Sequence, residues 1–507
     1  MRLLAVGVVF ACSTGFGSSL AEFARGAPRV VASAQQSGAP VDFGALALAP
    51  DDFEAEHALA LHWARHARLE DAIAKLDELS KRANVGDYAP KLAKELVRCR
   101  AFLALRDKHF AELVALGTKC TFDYQGKKLI TKIKSVEGGL LVLDENKLKV
   151  ASLPFTALDP YVLARSFSKA TTEGADGWAR WYAYVLAGDE KAVKGLKGAP
   201  EIVELRADAE SWYPKALQLG AAMEVVTQLV ARGLPGDPAA AQACLDALRA
   251  LIAEHGELAQ IAKRKPALTG LARAALKRLF ALDKVAEATA AKVEVLPDSR
   301  MRFTYEFEKK EEAADFVADH AYFSAWRTNL GELDTKGEPK FELKQGAAHT
   351  LGAGCWRHAF NFEGAISVKY DVGFEGLGSA KRSSLIMVAV NDDKHDSFVG
   401  CQGFGSLDAR NFPTKFRKMD IITEGRAISE GAVYPIELEV KDGTATSRVS
   451  GKQIKQVESG PRTGGGVFFY VHTDSIVFFA KVVIEGKPDM AAVEARWSAK
   501  KLAELKL

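Results

Sequence analysis

The sequence predicts a multidomain chain of α and β structure, in which a helical array with a small β-barrel precedes a C-terminal antiparallel β-sandwich. Apolar residues recur at helical spacing over 51–117 and 159–295, whereas 118–158 forms short β-rich runs and 296–490 alternates with period two. A chain of 507 residues corresponds to about three domains. Its 48% apolar and 26% charged residues are typical of packed globular structure.

The N-terminus has the pattern of a secretory signal. One positive charge precedes the apolar run Leu3–Cys12, which is too short to span a bilayer. Small residues permit cleavage after Ala21 or Ala34, and we prefer Ala21 because it lies nearer the apolar run. This predicts a signal peptide over 1–21, a linker over 22–50 and an exported protein, whether periplasmic, envelope-bound or secreted, without a transmembrane span in the mature chain. Cys12 leaves lipidation open as an alternative.

The helical regions carry apolar stripes. In 51–117, Leu92, Leu96 and Cys99 share one helix face. In 159–295, Asp237 or Pro238 predicts the start of a helix that follows a break rich in glycine and proline. These features predict antiparallel helices packed pairwise, similar to tetratricopeptide-like hairpins but without that family's residue pattern.

Residues 118–158 contain four short runs separated by turn residues, which predict a small barrel. Gly126-Lys127, Gly138-Gly139 and the closing Leu153-Pro154 carry a resemblance to a small Src-homology-like barrel of secreted bacterial proteins. That resemblance implies only a fold for these residues.

Residues 296–490 read as many antiparallel strands, for which a two-layer sandwich is the expected arrangement, and 491–507 as a terminal helix. The stretch Gly464–Gly486 predicts a hairpin that turns at His472–Ser475. On its second strand, Ile476, Phe478, Ala480, Val482 and Ile484 recur with period two, which predicts one wholly apolar face against a second layer.

The opening Phe303–Phe316, the continuation to Trp326 and the close Gly464–Gly486 resemble a concanavalin A-like jelly roll. Laminin-G modules and the bacterial 3-keto-disaccharide hydrolase family are both similar. The resemblance implies a jelly-roll fold, and the hydrolase family implies glycan processing by carboxylates on a concave sheet.

Polar residues of the predicted strands form a candidate ligand-binding face. Glu437 and Glu439 share one strand face, and Lys369 and Asp371 could join them across the sheet. Such a surface suits sugar binding or hydrolysis, with Trp356 or His358 as the stacking or proton-transfer group. The alternative is the ordinary solvent side of an antiparallel sheet. We predict no catalytic residue.

Two other motifs give weaker indications of a functional site. Glu332, Asp334 and Glu338 resemble a catalytic strand of laminarinase-like glycosidases, but Thr335–Gly337 and Pro339 predict a turn. Calcium ligation by Asn391–Asp393 with Asp396 lacks the spacing of a dedicated loop.

Two further clusters leave alternatives open. His57, His62 and His66 are consistent with a helical metal site or a polar helix face, and Cys355 with Cys401 could form a disulfide or remain buried thiols. We predict no metal site and no cofactor. A net charge of +3 gives no reason to expect a nucleic-acid partner.

The sequence therefore favours an exported, non-catalytic binding or scaffolding protein whose sandwich engages carbohydrate or an envelope protein. A glycan-processing hydrolase and a purely structural assembly protein are the alternatives.

Overall fold

The computed structural model describes residues 41–49, 52–124, 127–137, 139–167, 177–195, 197, 199–318, 340–351, 354–375, 384–390, 397–403, 406–412, 420–427, 431–442, 444–458, 464–471 and 476–507. The chain divides into an N-terminal unit, Met1–Arg278 with Leu505–Leu507, and a C-terminal unit, Leu279–Glu504. The predicted signal peptide, Cys12 and most of the linker lie outside the described residues. A helical N-terminal region followed by antiparallel sheets confirms the predicted mixture of α and β structure.

The helices of the N-terminal unit and of the junction after it alternate with short loops. They are α1 (Phe43–Leu46), α2 (Phe53–Arg65), α3 (Leu69–Ser80), α4 (Ala89–Leu116), α5 (Pro160–Ser166), α6 (Gly177–Ala187), α7 (Glu190–Lys194), α8 (Pro200–Ser211), α9 (Tyr213–Arg232), α10 (Pro238–His255), α11 (Ala259–Leu279) and α12 (Val285–Ala288). None of the described helices is both long and apolar enough to cross a membrane.

Side-chain caps explain where several of these helices begin. The Asp52 carboxylate accepts a 3.2 Å hydrogen bond from the backbone N–H of Ala55, at the start of α2. Asp237 caps α10 through the N–H of Ala240 at 2.8 Å, with Pro238 in the first turn, as the sequence predicts. Each cap satisfies a backbone donor that has no partner within its helix.

Helices α2 and α9 cross at unusually close range. A Cβ added to Gly220 of α9 would lie 2.8 Å from the carbonyl carbon of Ala58 and 2.9 Å from the Cβ of His62. Only a residue without a side chain allows the two backbones this approach. The crossing therefore depends on glycine at position 220.

The residues predicted as a small barrel form a four-stranded antiparallel sheet, packed in the same core as the helices. Its strands, in spatial order, are β1 (Lys119–Tyr124), β2 (Lys127–Glu137), β3 (Leu140–Leu143) and β4 (Ser152–Pro154). The strand pairs that the structure describes leave β1 and β4 at opposite edges, so closure into a barrel stays a prediction.

The C-terminal unit is built from antiparallel strands and a terminal helix. They are β5 (Lys292–Val295), β6 (Met301–Tyr305), β7 (Phe316–Ala318), β8 (Lys340–Lys344), β9 (Ala347–Leu351), β10 (Gly354–Glu375), β11 (Ser384–Val390), β12 (Ser397–Gly403), β13 (Ser406–Phe412), β14 (Asp420–Ala427), β15 (Val433–Lys441), β16 (Thr444–Val449), β17 (Lys452–Glu458), β18 (Gly464–Val471), β19 (Ile476–Pro488) and α13 (Met490–Leu505).

The long strand β10 belongs to two sheets. Its first half pairs with β7 and β18, and continues through β11, β12 and β13 to β14; we call this the first sheet. Its second half pairs with β15 and β19, with β16 and β17 beyond β15, and with β6 and β9 beside β19; this is the second sheet. Gly364, at φ +65°, lies where pairing with β18 ends and pairing with β15 begins, while β19 pairs with β10 on both sides of it. Glycine adopts this backbone angle without strain.

The predicted hairpin Gly464–Gly486 is wrong. Among the described strand pairs β18 joins β10 and β11, whereas β19 joins β10, β6 and β9, so the two strands enter different sheets. The rings of Phe469 and Phe479 meet between those sheets and close the core. Two adjacent runs of strand pattern are consistent with a hairpin or with a crossover between layers, and here the second occurs. The predicted turn His472–Ser475 lies outside the described residues.

Strand order also excludes the disulfide that was left open between Cys355 and Cys401. Cys355 pairs with Tyr470 of β18, and two strands, β18 and β11, separate β10 from β12, which carries Cys401. Three strand spacings amount to about 14 Å. A disulfide needs Cα atoms within about 7 Å.

Candidate functional site

The second sheet brings four of the predicted site residues together. Strands β10 and β15 are neighbours, and Lys369 stands directly opposite Glu437. Asp371 and Glu439 lie on the same outward face, two residues further along their strands in opposite directions. Alternating Val368, Tyr370, Ile436 and Leu438 are buried on the inner face and fix this orientation.

Two cations that the sequence did not single out complete this group. Lys369 Nζ lies 3.3 Å from Glu437, and Arg448 of β16 lies 3.7 Å from Glu437 and 3.6 Å from Glu439. Lys481 Nζ lies 3.3 Å from Asp371. We call these six residues, Lys369, Asp371, Glu437, Glu439, Arg448 and Lys481, the polar face. Their side chains are 21% to 81% exposed, so solvent and a ligand can reach them.

A β-bulge at Lys481 determines which side chains of β19 share the polar face. Lys369 pairs with Val483 but Asp371 pairs with Ala480, so one extra residue stands on β19. Lys481 takes φ +48°, and the alternation of faces is reversed across it. Val477 and Phe479 are therefore buried before the bulge, and Val482 and Ile484 after it.

This reversal corrects the prediction of one continuous apolar face on β19. Phe478 and Ala480 lie on the outward face, half-buried, while Val482 and Ile484 lie in the core. Period-two counting fails at a bulge because the extra residue shifts the phase by one.

Phe478 gives the outward face an aromatic platform. It stands opposite Gly373 of β10, and its ring covers the position that a Cβ of residue 373 would occupy. His349 of β9 stands beside Phe478 and stacks on its ring, with centroids 5.6 Å apart. Val433 of β15 continues the same row and is 51% exposed. An apolar row therefore adjoins the charged rows that contain Asp371 and Lys369.

The structure places the other two predicted residues inside the unit. Trp356 is 4% exposed and its ring lies 5.5 Å from that of Phe341, and His358 is 1% exposed. Both lie on the first half of β10, in the first sheet. They do not reach the polar face, so neither can supply the stacking or proton-transfer group that the sequence suggested there.

His358 belongs instead to a buried hydrogen-bonded network. Nδ1 lies 3.2 Å from both the N–H and the carbonyl oxygen of Phe360, and Nε2 lies 2.7 Å from the Tyr305 hydroxyl. Tyr305 in turn donates to Asp315 at 3.1 Å. Burial lowers the pKa of His358 to about 4, which keeps the imidazole neutral at neutral pH.

Asp315 connects this network to the terminal helix. Its carboxylate accepts hydrogen bonds from the Thr289 hydroxyl, from the Ala290 N–H at 2.8 Å and from Arg496 of α13 at 2.6 Å. Arg496 also donates to the carbonyl of Ala288 at 3.0 Å. The beginning and end of the C-terminal unit are thus joined through one buried carboxylate. This cluster is enclosed and serves the fold.

The remaining sequence motifs add no site within the described part of the chain. Glu332, Asp334 and Glu338, and the group Asn391–Asp393 with Asp396, lie outside the described residues. His57 and His62 lie within α2 and His66 caps its C-terminal end; His57 is only 1% exposed, so it does not belong to a polar helix face. Across the residues that the structure describes, no three His, Cys, Asp or Glu side chains are placed to hold a metal ion.

Arg448, Lys481 and Phe478 were missed for identifiable reasons. Arg448 faces Glu437 only through strand pairing, which local sequence does not record. The faces on which the Phe478 and Lys481 side chains lie are set by the bulge on β19. The one local signal was a lysine within an apolar strand, which suits an exposed bulge position.

No protein-family model and no curated protein matches the sequence. Solved structures resemble parts of the chain at low similarity. They include the carbohydrate-binding module CBM66 from Bacillus subtilis, at 10% identity and a TM-score of 0.25, over 30% of this chain and 92% of that one. A Bacillus subtilis protein of unknown function with a galectin-like fold matches at 9% identity and a TM-score of 0.29, over 39% and 98%. SCLam, a non-specific endo-β-1,3(4)-glucanase from family GH16, matches at 11% identity and a TM-score of 0.30, over 39% and 96%. Likeness of this degree carries no conclusion about what the chain binds, which must be argued from its own residues.

Proposed function

We propose that the chain is an exported, non-catalytic binding protein whose C-terminal unit recognises carbohydrate on the polar face. The observation that carries this proposal is the placement of Phe478 beside the charged rows of Asp371 and Lys369. An aromatic ring packs against the apolar face of a sugar ring, while carboxylates and amines bond its hydroxyls. Carbohydrate sites need both kinds of group within a few ångströms on a rigid support.

The sheet supplies that rigidity. The cross-strand pairs of Lys369 with Glu437 and of Lys481 with Asp371 hold each carboxylate while leaving acceptor positions open. Side chains fixed by ion pairs on neighbouring strands lose little further freedom when they bind. The arrangement therefore suits recognition of hydroxyl groups.

Hydrolysis is the weaker alternative. Glu437 and Glu439 are two residues apart on one strand, a spacing of about 6.8 Å that falls in the range of inverting glycosidases. However, Arg448 contacts both carboxylates and Lys369 contacts Glu437. These ion pairs occupy oxygens that a general acid and a general base would need, which favours binding over turnover.

A glycan array probed with the full chain tests the proposal. We expect saturable binding that is lost in an Asp371→Asn/Glu437→Gln double variant. Glu363→Gln is a control, because Glu363 and Lys487 form an exposed ion pair at 2.7 Å on β10 and β19, the strands that also carry the Asp371–Lys481 pair. Absence of binding to any glycan, or equal binding by the double variant, would contradict the proposal.

Two further measurements separate the alternatives. Turnover of 3-keto or β-linked glycosides that disappears in Glu437→Gln would favour the hydrolase, and capture of an envelope protein without glycan binding would favour scaffolding. Export is tested by mass spectrometry of the mature N-terminus. A chain that still begins at Met1 would exclude cleavage.

A further inference from the structure

The four-stranded sheet of the N-terminal unit concentrates basic charge. Residues 118–158 contain seven lysines, no arginine and four carboxylates, an excess as large as that of the whole chain, which is +3. Charge gathered on one small sheet acts on partners at short range, where salt screens it least. This sheet and the polar face belong to different units, so a partner bound to the sheet does not require carbohydrate binding.

Strand geometry places several of these lysines on one surface. On β2, Leu129, Thr131 and Ile133 are buried, so the alternate side chains point to solvent. Strand β1 contributes Lys119, which is exposed opposite Lys132. We call the exposed residues Lys119, Lys128, Ile130, Lys132 and Lys134 the lysine face.

The pairing of Lys119 with Lys132 is unfavourable in the isolated chain. Like charges directly opposite on neighbouring strands repel and destabilise a sheet. Lys134 is neutralised by Asp144 at 3.4 Å, but among the described residues neither Lys119 nor Lys132 forms an ion pair. A bound anion between them would remove the repulsion. A cleft of about 460 Å³ begins here. The lysines Lys119, Lys132 and Lys147 border it together with the carboxylates of Asp144 and Glu145, so its positive charge is concentrated at the Lys119–Lys132 end.

The adjacent backbone is open as well. Strand β1 ends the sheet, and in the part of the chain that the structure describes it pairs with β2 alone. An edge strand presents unpaired N–H and C=O groups, to which an extended peptide can add as a further strand. Ile130, 58% exposed, adds an apolar contact within the same face.

We propose that the lysine face and the free edge of β1 together bind an extended acidic peptide segment of a partner protein. In an added strand, side chains on one face repeat about every 6.8 Å. A carboxylate opposite Lys119 then also approaches Lys132, and the next outward residue lies beside Thr121 and Ile130. An acidic polysaccharide or an anionic bilayer could neutralise the lysines but could not pair with the strand edge, which favours a peptide.

Fluorescence anisotropy with the full chain tests this docking. The probe is a labelled ten-residue peptide of alternating Thr and Glu. We expect Lys119→Gln/Lys132→Gln to weaken binding at least about tenfold, as removal of close charge pairs does, and the matching double Arg variant to retain it. Lys191→Gln/Lys215→Gln, which changes two exposed lysines on helices of the same unit, should have no effect.

A second probe isolates the contribution of the strand edge. The same peptide with alternate backbone amides N-methylated keeps its charge but cannot extend a sheet, so it should bind at least about tenfold more weakly. If the methylated peptide binds as tightly as the unmethylated one, the surface binds anions without strand pairing and the proposal is overturned. Peptide binding that is unchanged by the Lys119 and Lys132 substitutions would also overturn the proposal. So would tighter binding of the chain to phosphatidylserine vesicles or polygalacturonate than to the peptide.

Discussion

The rings of Phe469 and Phe479 stack with centroids 4.7 Å apart and planes inclined by 18°. Both residues are completely buried, and they come from strands of different sheets. This contact joins the two sheets of the C-terminal unit through residues only ten positions apart in the chain. It is therefore a sensitive probe of how the two layers are held together.

Truncation of either ring should destabilise the C-terminal unit strongly. We expect Phe469→Ala and Phe479→Ala each to lower the free energy of unfolding by about 3–5 kcal/mol, through lost burial and the cavity that remains. The double variant should lose about 0.5–1.5 kcal/mol less than the sum, because the stacking energy is lost only once. Urea unfolding, monitored by hydrogen exchange on peptides from β18 and β19, measures both the loss in each single variant and the departure from additivity in the double variant. Strict additivity would show that the rings do not interact.

The close crossing of α2 and α9 predicts that Gly220→Ala destabilises the N-terminal unit. The added methyl group meets the Ala58 backbone, which cannot move without shifting the helix. Overpacking of this kind costs about 1–3 kcal/mol. Thermal unfolding of the full chain, with hydrogen exchange on α2 and α9, measures the loss.

Gly270→Ala provides the matched control, because Gly270 is also within a helix but a new Cβ there meets only Val41 Cγ2 at 4.0 Å. With no clash, the higher helix propensity of alanine should raise stability by about 0.5–1 kcal/mol. The same sign for both variants would contradict the close crossing.

His358 should make the C-terminal unit less stable in acid. Its pKa is lowered to about 4 in the folded chain by burial, whereas an unfolded imidazole titrates near 6.5. As pH falls from about 6.5 to 4 the unfolded state takes up a proton that the folded state does not, so stability that is complete above 6.5 is progressively lost. The slope from this one group approaches about 1.4 kcal/mol per pH unit.

Stability measured between pH 4 and 7 for the native chain and for His358→Gln checks this expectation. The variant should start less stable at pH 7, because Tyr305 loses its imidazole partner, and should then depend less on pH. Parallel curves would mean that His358 is not the group responsible.

The parts of this protein that follow local rules were predictable from sequence. Helix starts at Asp52 and Asp237 follow from capping chemistry, and the outward placement of Lys369 and Glu437 follows from alternation with apolar neighbours. Such patterns are contained within about ten consecutive residues, so they can be recognised without knowledge of the tertiary structure.

Strand partners were not predictable, because pairing is decided by the whole sheet. Nothing local to Gly464–Gly486 distinguishes a hairpin from two strands that flank β10. The same limit explains why Trp356 and His358 were grouped with the polar face. Both residues precede Gly364 on β10, in the half of the strand that pairs with β7 and β18 in the other sheet. Arg448 was missed because its proximity to Glu437 arises only from cross-strand register.

The bulge at Lys481 predicts that glycine is better tolerated than valine at this position, the reverse of the order expected in a regular strand. Lys481 has φ +48°, a conformation that costs a residue with a side chain roughly 1–2 kcal/mol, so Lys481→Gly should be neutral or stabilising and Lys481→Val destabilising. Lys487 is the control, since it is an exposed lysine in regular strand on β19 and also forms an ion pair. There valine should be better tolerated than glycine. Denaturation of the four variants tests this, and the same order at both positions would contradict the bulge.

The extra residue on β19 reverses which alternate side chains of the strand point outward. Removal of residue 481 would put the segments on its two sides out of phase, so that either Phe478 and Phe479 or Val482 and Val483 would have to exchange faces. Comparison of this chain with any relative must therefore align the bulge first. A misplaced gap would pair the outward, half-buried ring of Phe478 with a buried side chain.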